Sequence, residues 1–218
     1  MLNVLLNFIK DFSYENYYLH LMAIFFLYFL IKRQYKSIFY IIGLQSFAHV
    51  CRTIFKVMFH IPHPTFSHTY AFPSSEVIME VVTICSLFYF AFQNRKVFLI
   101  SFVVMCVYAS WRVIYFGWHN LTDSIGGCVF TAVILALYFL VLKKKLTLKQ
   151  LLFFNFYFPF IVSVLLLPRS EMYITDNTYK AFIPCSFACL VCYILLYAIE
   201  NMRYIKEQIA HIKSKFIK

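Results

Sequence analysis

Seven apolar runs, at about 15–32, 37–59, 76–93, 97–116, 121–142, 151–168 and 181–200, alternate with short polar connections along the chain. Crossing the hydrocarbon core of a bilayer takes about 20 apolar residues in a helix. The pattern therefore predicts an all-α integral membrane protein, a bundle of six to seven transmembrane helices. Two further stretches are apolar on one side only. Over 1–12, Leu2, Leu5, Phe8, Ile9 and Phe12 oppose Asn3, Asn7, Lys10 and Asp11, and after the last run Ile205, Ile209, Ile212 and Phe216 recur among lysines. Both are expected to be amphipathic helices at the membrane interface, and the first lacks the basic start of a cleaved signal peptide. The expected organisation is a single membrane domain over 1–218: an interfacial helix at 1–12, a four-helix core at 37–142, two additional spans at 151–200 and a basic tail at 201–218.

With 62% of residues hydrophobic, 13% charged and a mean hydropathy of +0.75, nothing is left over for a soluble domain. The net charge of +11 does not indicate nucleic acid, because the basic residues cluster between apolar runs. Lys32, Arg33 and Lys36 follow the first run, Arg95 and Lys96 the third, Lys143, Lys144, Lys145 and Lys149 the fifth, and Arg203, Lys206, Lys213, Lys215 and Lys218 the seventh. The opposite side holds only Lys10, Arg169 and Lys180, so the positive-inside rule places the basic connections and the C-terminus in the cytoplasm. All seven cysteines fall in apolar runs, where they act as small hydrophobes. Cys185, Cys189 and Cys192 share a helix face, but without His or Asp beside them they do not read as a metal site.

Polar groups inside the runs are costly and so informative. Gln45, His49, Arg52 and Lys56 draw a stripe down one face of the second run, which must point into the bundle, and Arg112 lies near the end of the fourth. The acidic residues at comparable depth are Glu76, Glu80 and Asp123, and structural ion pairs with these three cations are one reading of the set. The loop from His60 to Glu76 holds three histidines and three prolines, and its Pro73-Ser74-Ser75 end caps the third run with backbone amides suited to an anion. In the stretch Trp111–Gly127, His119 and Asp123 stand four residues apart. On a helix this places them on one face, so that the carboxylate holds one imidazole nitrogen and leaves the other with a lone pair for a proton or for phosphorus. If that helix is continuous, Arg112 lies two turns upstream. By the count of runs, Lys56, His63, the Ser74–Ser75 cap, Glu76, Arg112, His119 and Asp123 meet at one, non-cytoplasmic interface. Asn120-Leu121-Thr122 also fits a glycosylation sequon, read as coincidence because it abuts the membrane.

The order of these motifs resembles the type 2 phosphatidic acid phosphatase superfamily of lipid phosphatases and phosphotransferases. Its pattern is Lys-x6-Arg-Pro, then Pro-Ser-Gly-His, then Ser-Arg-x5-His-x3-Asp. Here Lys56-x6-His63-Pro64, Pro73-Ser74-Ser75-Glu76 and Ser110-Trp111-Arg112-x6-His119-x3-Asp123 stand in that order, followed by Gly127. His63 replaces an arginine, Ser75 a glycine and Glu76 a histidine. The resemblance covers residues 56 to 127 and nothing in the last two runs.

The resemblance implies that His119 takes the phosphoryl group, that Asp123 orients it, and that Lys56, His63, Ser74, Ser75 and Arg112 bind phosphate. Glu76 would stand where the leaving oxygen is protonated. A carboxylic acid can do this if burial and a like charge such as Glu80 keep it protonated, an effect that Lys56 or Arg112 would oppose. His49, Arg52 and Glu80 are candidates for support. The implied reaction needs no cofactor and no metal. Its partners are a phosphorylated or diphosphorylated lipid, the membrane and a lipid or alcohol phosphoryl acceptor, in a bacterial inner membrane with the site on the non-cytoplasmic side. The changed acid position favours a low-pKa leaving group such as a diphosphate. Two other readings stay open: an inactive relative that binds phospholipid, and a small transporter using the polar stripe, for which no inverted repeat is visible.

Overall fold

The computed structural model describes residues 17–63, 70–166 and 182–216. Within these residues the chain forms seven helices and no named strand: α1 (Tyr17–Ile31), α2 (Tyr35–Phe59), α3 (Ser75–Phe92), α4 (Arg95–Tyr115), α5 (Leu121–Lys145), α6 (Leu148–Leu166) and α7 (Ile183–Phe216). Six of them, α2 to α7, are long and apolar enough to cross a membrane. The predicted all-α membrane bundle is thus observed, and the apolar runs coincide with the helices to within a few residues except at the end of the last, which runs on from 200 to Phe216. The first run is a shorter apolar helix in its described part, and the predicted helix at 1–12 lies outside the described residues.

Short-range chemistry sets the helix ends. Ser74 caps α3, its Oγ accepting from the Val77 amide, and Asn94 caps α4 by accepting from the Lys96 amide at 2.8 Å. α4 ends where Gly117 turns left-handed at φ 69°, a conformation glycine adopts without a Cβ penalty. The amides of Trp118 and His119 both reach back to the Val113 carbonyl, which closes the turn. Asn120 then starts α5 with a reciprocal capping box, its side chain accepting from the Asp123 amide while Asp123 accepts from the Asn120 amide. The far half of α5 contains a π-helical stretch at Leu137–Leu142. The basic tail is helical as expected, and it continues the last span without a break through Phe216.

α2 and α3 form the centre, and the other helices pack around them. In α3, Val77, Ile78, Val81, Val82 and Cys85 recur every three or four residues and are all buried, against Leu44, Phe47, Ala48 and Cys51 of α2, Ala109 and Val113 of α4, and Ile134 and Leu135 of α5. A second cluster joins Phe29, Ile38, Ile41, Leu87 and Leu152 to Cys189, Cys192 and Leu196. α4 and α7 keep most of their apolar surface outward, as membrane-facing helices do. The cysteines are free thiols, buried or half-buried.

The starts of α3 and α5 come unusually close. The Ser74 amide donates to the Asp123 carbonyl at 3.0 Å. A Cβ placed on Gly127 would fall 2.8 Å from Val77 Cβ and 3.2 Å from the Ser74 carbonyl oxygen. Gly126 is equally enclosed, by the Phe72 ring, which itself packs edge-on against Phe59 and Phe130. Gly127→Ala should therefore separate the two helix starts and cost about 1–3 kcal/mol, the usual penalty of overpacking. Thermal unfolding of the purified protein in detergent reads this directly, and an unchanged midpoint would contradict the close seating.

Candidate functional site

The seating of α3 against α5 brings together side chains far apart in sequence. His119 lies in the turn before the cap of α5, not on a helix face shared with Asp123 as its spacing suggested. Gly117 interrupts the helix between Arg112 and His119, and the Asn120 cap separates His119 from Asp123, so neither relation is one of helical turns. Asp123 occupies the third position of α5, and the turn folds His119 back so that its Nδ1 lies 3.4 Å from Asp123 Oδ2. The other ring nitrogen, Nε2, lies 2.8 Å from Glu76 Oε2. Two carboxylates thus bracket one imidazole. His119 and Asp123 are almost wholly buried, whereas the Glu76 side chain is 42% exposed at the mouth of the site.

Around this pair sit the other expected residues. Ser74 Oγ donates to Glu76 Oε2 at 3.3 Å, so the residue that caps α3 also steadies the carboxylate. The His63 ring stands edge-on to His119 at 5.2 Å between centroids. Lys56, buried near the end of α2, donates through Nζ to the Tyr70 carbonyl at 2.5 Å, and its charge is felt by Glu76, Asp123 and His63. Ser75 is buried at the first position of α3. Burial pushes the His63 imidazole below its ordinary value, the charges of His119 and Lys56 push the same way, and the Trp118 carbonyl and Glu76 oppose them. His63 is thereby kept mainly neutral at neutral pH, further from an arginine-like cation than its sequence position suggested.

Two expectations need correction. Glu80 does not act as a like charge that keeps Glu76 protonated: its carboxylate is buried in an ion pair with the Arg112 guanidinium, which cancels its field at Glu76. Arg112, expected on the phosphate, is held by that pair and by the Trp118 ring 5.0 Å away, so an anion at His119 would have to share it. Of the structural ion pairs considered, Arg112 with Glu80 is formed. Arg52 instead lies 3.2 Å from His49 Nε2, and His49 packs edge-on against Phe182, away from His119. Gln45 does face the interior, donating to Thr83 Oγ1 at 2.8 Å.

Sequence reading missed Tyr70, Trp118 and Asn120. Tyr70 and Trp118 act through backbone carbonyls or an aromatic face, which no motif marks. Asn120 had a legible signal: with Asp123 three residues on, it makes the capping pattern, and its side chain is committed there.

In comparisons with known proteins, a family model described as the PAP2 superfamily matches residues 46–147, the segment from α2 to the end of α5. No curated protein and no solved structure matches the chain.

The lowered basicity of His63 sets a sign for anion binding. Since its proton is gained only below the ordinary imidazole value of about 6.5, the part of the affinity for vanadate or inorganic phosphate that depends on His63, read as the difference from His63→Gln, should be absent between pH 8 and 7 and appear as pH falls further. Calorimetric titration of both proteins across pH 5.5–8 measures this, and His63→Arg should hold that part constant throughout.

Proposed function

Because residues 46–147 match a model of the PAP2 superfamily, which supports a phosphatase-type lipid function, we propose that this multi-pass membrane protein is a lipid phosphatase or phosphotransferase working through a phosphohistidine at His119. The observation that carries the reading is the imidazole bracketed by Asp123 and Glu76. Asp123 holds Nδ1–H and so fixes the tautomer that leaves Nε2 as the nucleophile. The contact between His119 Nε2 and Glu76 Oε2 carries a single proton. Resting on Nε2 it blocks attack, whereas passed to Glu76 it frees the nucleophile and arms the acid together.

A lipid phosphate entering from the exposed side of Glu76 takes that carboxyl's place at Nε2. The Nε2–P bond forms, the bond from phosphorus to the leaving oxygen breaks, and the Glu76 carboxyl gives its proton to that oxygen. Water or an acceptor alcohol then attacks phosphorus while the Glu76 carboxylate takes its proton, and His119 leaves. Lys56, the Ser74 hydroxyl, His63 when protonated and a shared Arg112 neutralise the non-bridging oxygens, with Ser75 contributing at the helix start. His49, Arg52 and Glu80 act behind this set: Glu80 positions Arg112, and the His49–Arg52 pair lies deeper along α2. No step draws on a metal or cofactor. By the distribution of basic connections the site faces the non-cytoplasmic side.

One observation favours the binding-protein reading: Glu76 occupies Nε2 and Glu80 occupies Arg112. The deciding experiment incubates the purified protein with phosphorylated lipids in EDTA, then traps the enzyme by rapid quench. A base-stable, acid-labile phosphoenzyme that disappears in His119→Ala is expected. Glu76→Gln should slow turnover about 10²–10⁴-fold, the usual worth of a positioned acid–base group. Lipid binding with no phosphoenzyme on any lipid would assign the chain to the binding proteins instead.

A further inference from the structure

At the basic end of the bundle, opposite the site around His119, one lysine is held by aromatic rings. Lys143 Nζ lies 4.8 Å from the centroid of the Phe90 ring, 5.0 Å from those of Tyr40 and Tyr89, and 5.4 Å from that of Phe139. All four distances are within the reach of a cation–π contact. The rings brace one another as well: Tyr40 stacks on Phe90 at 5.7 Å, and Tyr89 packs against Phe90 at 5.2 Å and against Phe139 at 4.8 Å. Tyr40 comes from α2, Tyr89 and Phe90 from the last turn of α3, and Phe139 from α5, so the cage is made by the fold and by no single motif. The π-helical stretch of α5 sets the lysine into it. The Lys143 amide donates to the Tyr138 carbonyl five residues back, while the Tyr138 hydroxyl donates to the Tyr40 carbonyl at 2.8 Å. Short π-helical segments are frequent at functional sites.

What this cage lacks is a counter-charge. Lys149 also lies over a ring, that of Tyr197 at 5.4 Å, but it has an ion pair with Glu200, and Arg203 has Glu207 at 3.1 Å. Glu200 and Glu207 are the acidic residues that chain order brings to this end; the others belong to the His119 end of the bundle, to the connection after α6 or to the stretch before α1. Among the described residues Lys143 Nζ meets rings and no carboxylate. A half-buried ammonium held by ring faces keeps N–H donors for an oxyanion.

We propose that Lys143 and its rings form a binding site for the phosphate of one anionic phospholipid, taken from the leaflet at the basic end. The depth fits a head group, since Lys143 stands two residues from the end of α5 and Phe90 two from the end of α3, the level at which aromatic residues line a membrane interface. Lys36, one helical turn before Tyr40, and Lys144, next to Lys143, are exposed there. Their charge attracts an anionic head group and repels the choline of a zwitterionic one, which favours phosphatidylglycerol over phosphatidylcholine. The site draws on none of the chemistry proposed at His119.

Retention of phospholipid by the full chain tests this. Protein from nanodiscs of mixed phosphatidylcholine and phosphatidylglycerol is released into detergent at high salt, which screens the diffuse attraction of exposed lysines, and the lipids still bound are counted by native mass spectrometry. One phosphatidylglycerol should remain on each chain. Lys143→Met should lower its retention about fivefold, the worth of one lysine at an anionic leaflet, and Lys143→Arg should keep it. Phe139→Leu, which opens the cage at unchanged net charge, should lower it about two- to fivefold. Thermal midpoints give a second reading: phosphatidylglycerol should raise the midpoint of the wild type above its value in pure phosphatidylcholine, and should not do so for Lys143→Met. A Lys143→Met midpoint lowered equally in both lipids would make the lysine a packing residue and overturn the site, as would retention unchanged in Lys143→Met and Phe139→Leu. Displacement of the bound lipid by millimolar inorganic phosphate would overturn the lipid assignment in favour of a soluble anion.

Discussion

The bundle's candidate chemistry depends on one short-range constraint, the seating of the start of α5 on the start of α3. Gly127 supplies the space, since any Cβ there would meet Val77 and the Ser74 carbonyl, and the Ser74 amide locks the approach by donating to the Asp123 carbonyl. The same two residues serve the site through their side chains. Ser74 caps α3 and touches Glu76, and Asp123 completes the Asn120 capping box and faces His119. Moving either helix end would disturb a cap and the site at once. Stability and geometry are therefore coupled at this corner of the membrane.

Around that corner the charges are arranged in pairs. Glu80 answers Arg112, Glu76 and Asp123 share His119, and Lys56 is anchored to a loop carbonyl. Buried charges persist only when compensated. Under the proposed function this becomes a trade: an anion would bind only by displacing or sharing an existing partner. Glu76, whose side chain reaches solvent, is the partner most readily displaced. The PAP2 superfamily match over residues 46–147 covers the four helices that hold this arrangement, while α6 and α7 lie outside it and pack chiefly along α2 and each other.

The last two helices lend the core its second apolar cluster, with Leu152, Cys189, Cys192 and Leu196 closing on Phe29 and Ile38. Their cysteines pack as small apolar groups, as their sequence surroundings implied. α7 extends as one helix of 34 residues, about 50 Å at 1.5 Å per residue and so longer than a bilayer core is thick. Its basic end is thus one continuous helix with the last span, where the sequence suggested a separate interfacial helix.

The sequence by itself determined the class of fold, the positions of the helices and the roster of candidate residues. Apolar run length and a cap residue such as Ser74 act over a few residues and need no partner to be read, whereas Asn94, Gly117 and Asn120, equally local, emerged as helix ends only in the structure. Only the tertiary structure decided which groups meet. Glu76 touches His119 across 43 residues and Arg112 meets Glu80 across 32, and helical periodicity carries no information over such separations. The local spacing of His119 and Asp123 even suggested the wrong backbone between them, a helix where a turn and a cap stand. A contact between side chains four residues apart can be made by either, and the choice was settled by Gly117 and by how closely α5 can approach α3.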